Sequence, residues 1–179
     1  MSTIDNFKAA LVGGGARANQ FRVDLTFPSI VNGGPLAGQM SQFMCKGASI
    51  PESTINIVSV PYRGRVLKLA GDKEFPEWTV KIINDTNFLM RNAFERWHNA
   101  VNNFVDGTGV DRPAEYQADM YVKQLDRNGT QLQAYKFVAA WPTKIDAIDL
   151  AFNGNQGDVE EFGVTFAYQY WQSTAVGQI

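Results

Sequence analysis

The sequence predicts a mainly β protein of about eight strands with one α-helix. Several stretches alternate apolar and polar residues, which is the pattern of half-buried strands. Turn-forming residues are plentiful, with 16 Gly and 7 Pro among the 179 residues, and aromatic residues make up 12%. Charged residues make up only 19%, which is few for a helical bundle. We therefore expect one β domain that spans residues 1–179.

Composition also limits the function classes. The hydrophobic fraction of 45% is enough for a core without disulfides. Sixteen Lys and Arg against eighteen Asp and Glu give a net charge of −2, which argues against a strongly basic protein that grips nucleic acid through its phosphates. The longest apolar run, residues 137–141, is far below the ~20 residues that cross a bilayer, so we expect no membrane partner. Residues 1–10 lack the apolar stretch of a signal peptide, which predicts cytoplasmic synthesis.

The N-terminal third begins with a predicted arm, residues 1–19, in which a short amphipathic helix precedes three glycines that act as a hinge. Residues 21–27 alternate between apolar and polar and predict the first strand. A long turn over residues 28–38 then leads to a second predicted strand at residues 39–46, and the two strands are expected to form a hairpin.

Residues 47–75 are too apolar for a free loop, yet they carry prolines and several basic residues. Two apolar stretches, residues 55–60 and 65–69, flank a turn near Tyr62-Arg63-Gly64. This pattern predicts a hairpin that protrudes from the domain.

The middle of the chain carries the one convincing helix, over residues 87–105, after a strand at residues 78–83. Asn84-Asp85-Thr86 supplies candidate N-cap residues. Apolar residues then recur at spacings of three and four and predict a stripe that faces the core. The stripe consists of Met90, Ala93, Phe94, Trp97, Val101 and Phe104.

The last third predicts strands and a tail. Residues 119–125 and 132–141 are expected to form a hairpin across Asn128-Gly129, with Pro142 ending the second strand. A short strand is expected at residues 145–152. The clearest alternation follows at residues 161–170, where one face is aromatic and the other is small and polar. Residues 172–179 form the predicted C-terminal tail.

No constellation of catalytic or metal-ligating residues stands out. The one histidine, His98, lies on the predicted helix, with no nucleophile at a matching spacing. The one cysteine, Cys45, has no partner for an internal disulfide. We therefore expect a protein that is not an enzyme, with no catalytic residues, no cofactor and no bound metal.

Charge is unevenly distributed along the chain. Residues 63–73 contain four basic residues and one acid, whereas residues 145–179 contain five acids and no Lys or Arg. Opposite potentials at two places on one small domain favour head-to-tail self-association, which produces rings or filaments. Ordinary, unrelated surface patches are the alternative explanation.

Several motifs resemble the tail tube proteins of contractile-tailed, T-even-like bacteriophages. The most specific runs from Ala70-Gly71-Asp72 to Glu77-Trp78-Thr79-Val80. Further matches are Cys45-Lys46-Gly47-Ala48-Ser49-Ile50-Pro51, Arg112-Pro113-Ala114-Glu115-Tyr116 and Tyr168-Gln169-Tyr170-Trp171. The resemblance follows the chain in order from about residue 16 to residue 171.

The resemblance implies a β-sandwich or half-barrel subunit with one flanking α-helix. Six copies would form a ring, and stacked rings would form the inner tube of a contractile tail, through which DNA passes without specific binding. The implied partners are the tail sheath protein outside the tube and the baseplate and tail terminator proteins at its ends. The implied location is the virion, after assembly in the bacterial host cytoplasm.

The resemblance also implies roles for particular residues. The segment at 47–75 would be the hairpin that docks on the neighbouring ring, and the polar face of the last strand would line the lumen. The predicted stacking residues are Ile55, Ile57, Val60, Tyr62, Arg63, Arg65 and Lys68. The predicted lumen residues are Asp24, Thr26, Glu161, Thr165 and Gln169. A solvated outer face would show the same alternation as a lumen wall.

Two alternatives remain at this point. One is the related tube protein of a contractile injection or type VI secretion system, such as the haemolysin-coregulated protein. The other is a ligand-binding β-barrel, which would require a closed apolar pocket and would leave the projection at residues 47–75 unexplained.

Overall fold

The computed structural model describes residues 4–11, 15–150 and 159–176. Four helices are present in these ranges: α1 (Ile4–Ala10), α2 (Gly34–Met44), α3 (Leu89–Val101) and α4 (Pro113–Tyr116). The strands are β1 (Phe21–Asp24), β2 (Cys45–Ala48), β3 (Thr54–Tyr62), β4 (Arg65–Glu74), β5 (Trp78–Ile83), β6 (Ala118–Leu125), β7 (Gln131–Ile145), β8 (Glu161–Ala167) and β9 (Tyr170–Ser173). The expectation of a mainly β fold is confirmed.

Seven strands form one antiparallel sheet, in the order β1-β6-β7-β8-β5-β2, and β9 pairs with β7. The long strand β7 belongs to both halves of this sheet. Its first part pairs with β6 and β9, and its last part pairs with β8. A bulge separates the two parts at Ala139, whose φ is 55°, and the Ala139 N–H donates a hydrogen bond to Asp119 Oδ1 at 3.0 Å.

The core lies between the apolar face of the sheet and helices α2 and α3, and it is rich in aromatic rings. Trp78 stacks on Phe137 with ring centroids 4.1 Å apart. Phe94 of α3 packs against Phe166 of β8 at 5.9 Å and against Phe27 at 5.0 Å. The rings therefore connect α3 to both halves of the sheet.

Helix α3 confirms the predicted amphipathic helix, although it is shorter than expected. The Leu89 N–H donates to Asp85 Oδ1 at 2.9 Å, so one of the predicted cap residues satisfies a free amide at the start of the helix. The helix ends at Val101. Phe104, which the periodicity assigned to the buried stripe, lies beyond the helix and is exposed.

The predicted strand at residues 39–46 is wrong, because residues 34–44 form helix α2 and only residues 45–48 form a strand. Small residues at helical spacing let α2 lie close to the chain at the end of β1. There the Ser41 hydroxyl takes the place of a backbone hydrogen-bond partner. Ser41 Oγ accepts a hydrogen bond from the Leu25 N–H at 3.0 Å and donates one to the Gly38 carbonyl at 2.7 Å. Strand β1 ends at Asp24, not at residue 27, and it pairs with β6 and not with the following segment.

Three predictions near the C-terminus are also corrected. Strand β7 continues through Pro142 to Ile145, and its register with β8 shifts between Pro142 and Lys144. The predicted strand at residues 145–152 is wrong for residues 146–150, which form no strand, and residues 151–152 lie outside the described ranges. The predicted last strand is two strands, because the chain leaves β8 after Ala167 and re-enters the sheet as β9.

The N-terminal arm contains the expected short helix, and α1 buries none of its residues. Its apolar side chains Ile4, Phe7 and Leu11 are exposed. Of the three predicted hinge glycines, Gly13 and Gly14 lie outside the described ranges, and Gly15 has a φ of 79°. None of the helices within those ranges is long and apolar enough to span a membrane.

The close approach of α2 to the segment that follows β1 gives a testable prediction at Gly34. A Cβ there would lie 2.7 Å from Phe27 Cβ, which is closer than real Cβ contacts permit. Gly34→Ala is therefore expected to lower the free energy of unfolding of the subunit by about 1–3 kcal/mol, despite the better helix propensity of Ala. Urea denaturation of the isolated subunit measures the change.

Gly47→Ala is the matched control, because the nearest atom to an added Cβ there is Lys81 Cβ at 3.7 Å. This substitution is expected to leave stability unchanged or slightly higher. Equal stability of Gly34→Ala and wild type would contradict the tight helix–strand contact.

Candidate assembly surfaces

The hairpin formed by β3 and β4 stands apart from the sheet. Within the described chain, these two strands pair with each other and with no other strand. Every residue of both strands is exposed except Gly71, which is half-buried. The predicted protruding hairpin is therefore present, and the described residues of its own subunit leave its apolar side chains exposed.

Both faces of this ribbon are apolar. Cross-strand partners share a face, so Val58 with Leu69 and Val60 with Leu67 form one apolar side. Ile57 with Ala70 lies on the other side. An isolated two-stranded hairpin is marginally stable in water, and a ribbon that is apolar on both sides exposes more apolar surface than a monomeric domain usually does.

The hairpin ends in a tight turn at Arg63 and Gly64, whose φ angles are 45° and 80°. Two successive left-handed residues are typical of the two-residue turns that close hairpins. The Arg63 guanidinium lies over the Tyr62 ring, 5.3 Å from its centroid. All seven predicted stacking residues therefore lie on one hairpin, with a basic and aromatic tip.

The five predicted lumen residues are less closely grouped. Glu161 and Thr165 lie on β8, on the side of the sheet that faces away from the core, and Thr165 Oγ1 is 3.1 Å from Thr79 Oγ1 of β5. Asp24 lies on β1, three strands away in the sheet order. Thr26 follows the end of β1, and Gln169 lies in the break between β8 and β9.

The basic side chains on this non-core face are held by carboxylates of the same chain. Asp24 accepts hydrogen bonds from both Arg22 and Lys123, at 2.8 Å and 2.6 Å. The other pairs are Lys136 with Asp119 at 2.7 Å, Lys144 with Asp146 at 2.8 Å, and Lys46 with Glu161. Lys81 is the exception on this face, since the described residues supply it with no ion pair.

The ion pairs shift the pKa values of Asp24, Asp119 and Lys136. Burial alone would raise the pKa of Asp24, but hydrogen bonds from Lys123 and Arg22 outweigh it and lower that pKa. The pKa of Asp119 is lowered in the same way, because the Lys136 ammonium and the Ala139 N–H outweigh desolvation. The pKa of Lys136 is raised, mainly by its hydrogen bond to Asp119. These charges are therefore fixed at neutral pH.

Sequence reasoning missed Asp119, Lys123 and Lys136, which complete the ion pairs on β6 and β7. For Asp119 and Lys136 the signal was present in the sequence, because both lie on the hairpin across Asn128-Gly129, whose turn fixes which residues face each other. Tyr121 pairs with Lys136 in that register.

The described ranges contain no group of three or more His, Cys, Asp or Glu residues that could hold a metal ion. Cys45 is half-buried between β2 and the core, and its burial, together with the nearby Asp24 carboxylate, raises its pKa to about 12. The thiol therefore stays protonated at neutral pH and is a poor nucleophile.

A family model described as phage tail tube protein matches residues 16–174. The chain belongs to the phage tail tube protein family. It is 28% identical to the tail tube protein gp19 of Enterobacteria phage T4 over 158 residues, which cover 88% of this chain and 91% of the relative. It is 26% identical to the tail tube protein of Serratia phage KSP90, over 84% and 85% of the two chains.

Solved structures share the fold at lower identity. A chain of the tube-terminating cap of the anti-feeding prophage matches with a TM-score of 0.66 and 15% identity, over 89% of this chain and 91% of that one. A chain of the sheath–tube complex of an extracellular contractile injection system, in its extended state, matches with a TM-score of 0.64 and 13% identity, over 94% and 97%. These likenesses confirm the tail-tube fold.

Family membership confirms the resemblance found in the sequence. A tail tube protein is a structural component of the phage virion and not an enzyme. Family membership also removes the ligand-binding β-barrel from consideration, because the family model covers residues 16–174.

The ion pairs predict how subunit stability depends on pH. Asp24 and Asp119 have lower pKa values in the folded chain, so their stabilisation is fully present above the unfolded value near 4 and is lost as pH falls through the folded values. We expect the free energy of unfolding to fall steeply below about pH 4, and Asp24→Asn to remove part of that slope. Urea titrations at a series of pH values measure it.

Asp111→Asn is the control, because Asp111 is exposed and lies outside these ion pairs. An acid slope for Asp24→Asn as steep as that of the control would refute a role for Asp24 in it.

Proposed function

We propose that six copies of this chain form a ring, and that rings stack through the β3–β4 hairpin into the inner tube of a contractile phage tail, a conduit for DNA ejection. The observation that carries this proposal is a hairpin that is apolar on both faces and uncovered by its own subunit. Such a ribbon needs a neighbour on each face. A six-fold symmetrised baseplate structure contains a chain of the same fold, with a TM-score of 0.63, which supports the ring number.

The free energy available from stacking is large. Fully burying a Val, Leu or Ile side chain contributes about 1.5–3 kcal/mol, and the hairpin exposes eight large apolar side chains. They are Ile55, Ile57, Val58, Val60, Tyr62, Val66, Leu67 and Leu69. Ordering and desolvation on association offset part of this gain, but each ring would make six such contacts.

The contact we propose is head-to-tail. The hairpin docks on a different surface of the next subunit, so the interaction does not close on itself and extends into a tube. Basic Arg63, Arg65 and Lys68 near the tip would meet acidic residues of the neighbouring ring.

We assign residues 1–179 to one tail tube domain with two flanking segments. The arm at residues 1–19 and the tail at residues 172–179 complete contacts between subunits. The exposed apolar face of α1, none of whose described residues is buried, supports this role for the arm.

The sheath protein would surround this tube, and baseplate and terminator proteins would close its ends, after assembly in the bacterial host cytoplasm. The support is the setting of chains with the same fold, which occur in a sheath–tube complex, a baseplate and a tube-terminating cap.

The polar face around Glu161, Thr165 and Gln169 would line the lumen, together with Asp24 and Thr26. DNA slides past a wall only if few free cations capture its phosphates. The ion pairs on this face support the assignment, because each one occupies an ammonium or guanidinium group with a carboxylate of the same subunit.

The stacking role predicts the effect of a charge in the middle of the hairpin. Ile57→Asp should leave the subunit folded, because Ile57 is exposed and lies outside the core. It should raise the protein concentration needed for tubes by about a hundredfold or more, because stacking would desolvate the added charge. Electron microscopy and light scattering measure tube formation. Ser59→Asp, on the same face at a polar position, is the control for charge alone. Tubes of normal length with Ile57→Asp would contradict the stacking role.

The lumen role predicts that added positive charge slows DNA. Glu161→Lys with Gln169→Lys should slow genome ejection by roughly tenfold without preventing assembly, because the added lysines would hold phosphates along the tube. Time-resolved DNA release from particles measures the rate.

The control pair carries the same change in charge on other surfaces, through Glu115→Lys on α4 and Gln39→Lys on α2. Normal ejection by the lumen pair, or an equal delay in both pairs, would remove Glu161 and Gln169 from the lumen wall.

A tube protein of a contractile injection or secretion machine is the second candidate, since chains of an extracellular injection system share the fold. The matches to phage proteins at 26–28% identity favour the phage tail. Detecting the chain in purified, DNA-containing particles would decide for the phage.

A further inference from the structure

Among the described residues, the contacts that join the β3–β4 hairpin to the sheet lie at its root, which we define as residues 49–53 between β2 and β3 and residues 73–77 from the end of β4 to β5. A cavity of about 250 Å³ lies beside the two legs of the root, lined by Pro51, Glu52, Pro76 and Tyr168 among others. The legs are therefore not packed solidly against the sheet. The direction of the hairpin depends on a few specific contacts.

The first leg is held by two tryptophan side chains from the sheet. The indole N–H of Trp78 donates to the Ser49 carbonyl at 2.9 Å. The indole N–H of Trp171 donates to the Glu52 carbonyl at 3.1 Å. Trp78 is buried in the core, whereas Trp171 lies half-buried on β9, next to Tyr135 with ring centroids 5.8 Å apart.

The second leg is held by the same Trp171. The Lys73 ammonium, at the end of β4, lies 5.4 Å from the centroid of the Trp171 ring and 5.4 Å from that of Phe75. A cation between two aromatic faces is attracted to both of them. Trp171 thus contacts one leg through its N–H and the other through its ring.

We propose that Trp171 is a positioning residue, which locks both legs of the hairpin root and sets the direction of the hairpin before rings meet. This inference rests on the proposed stacking function. A hairpin that already points in the docking direction loses less conformational entropy on stacking, so pre-organisation strengthens the contact between rings without touching it. Trp171 follows the turn at residues 168–169 that places β9 on β7, so this turn also places Trp171 at the hairpin root.

The test measures hairpin direction and tube formation separately. With Cys45→Ser, spin labels at Ser59→Cys on β3 and Gln39→Cys on α2 report the hairpin-to-body distance by pulsed electron paramagnetic resonance. Trp171→Phe keeps a ring but removes the N–H, and Lys73→Met keeps the stem but removes the charge. Trp141→Phe is the matched control, because Trp141 packs on Tyr116 and not on the root.

We expect Trp171→Phe and Lys73→Met each to broaden the distance distribution of the unassembled subunit and to raise the protein concentration needed for tubes by about tenfold. The control is expected to change neither. Lys73 is exposed, so its variant tests the lock even if Trp171→Phe folds poorly.

A sharp, wild-type distance distribution in both variants would overturn the lock and leave the stacking function standing. A broadened distribution with normal tube formation would overturn the role of the lock in stacking. If Ile57→Asp then also formed normal tubes, the stacking function itself would fail.

Discussion

The structure depends on one unfavourable exposure, the contact of the β3–β4 hairpin with water on both of its apolar faces. A half-buried strand normally places its apolar side on a core and its polar side in solvent. Here the main sheet follows that rule, whereas Ile57 on one face of the hairpin and Val60 on the other face have no core to cover them. Stacking on a neighbouring subunit, as we propose, would give both faces of the hairpin the cover that they lack.

The sheet supplies that support through its aromatic core. Trp78 illustrates the connection, because its ring stacks on Phe137 in the core while its N–H reaches the root of the hairpin at Ser49. Trp171 makes a second connection from β9. Side chains at the root thus connect the hairpin to the packed core. The long strands of the hairpin continue in the direction that the root sets.

The polar side of the sheet shows a different constraint. Most basic side chains on this face are paired within the subunit, since Asp24 holds Arg22 and Lys123 and Asp119 holds Lys136. If this face lines the lumen, as we propose, such pairs would leave few free cations for a phosphate to bind. The net charge of −2 does not show this local pairing.

The sequence by itself determined the β character, the amphipathic helix α3, a hairpin within residues 47–75 and the family, because these depend on local periodicity, turn residues and motifs within short stretches. It failed at α2, where the short spacing of Gly34, Gly38 and Ser41 matters only because a strand lies against it. It also failed to find the ion pairs of Asp24 and Asp119, the split between β8 and β9, and the position of Trp171 at the hairpin root. Asp24 lies 99 positions from Lys123, and Trp171 lies 119 positions from Glu52, so only the tertiary structure decides those contacts.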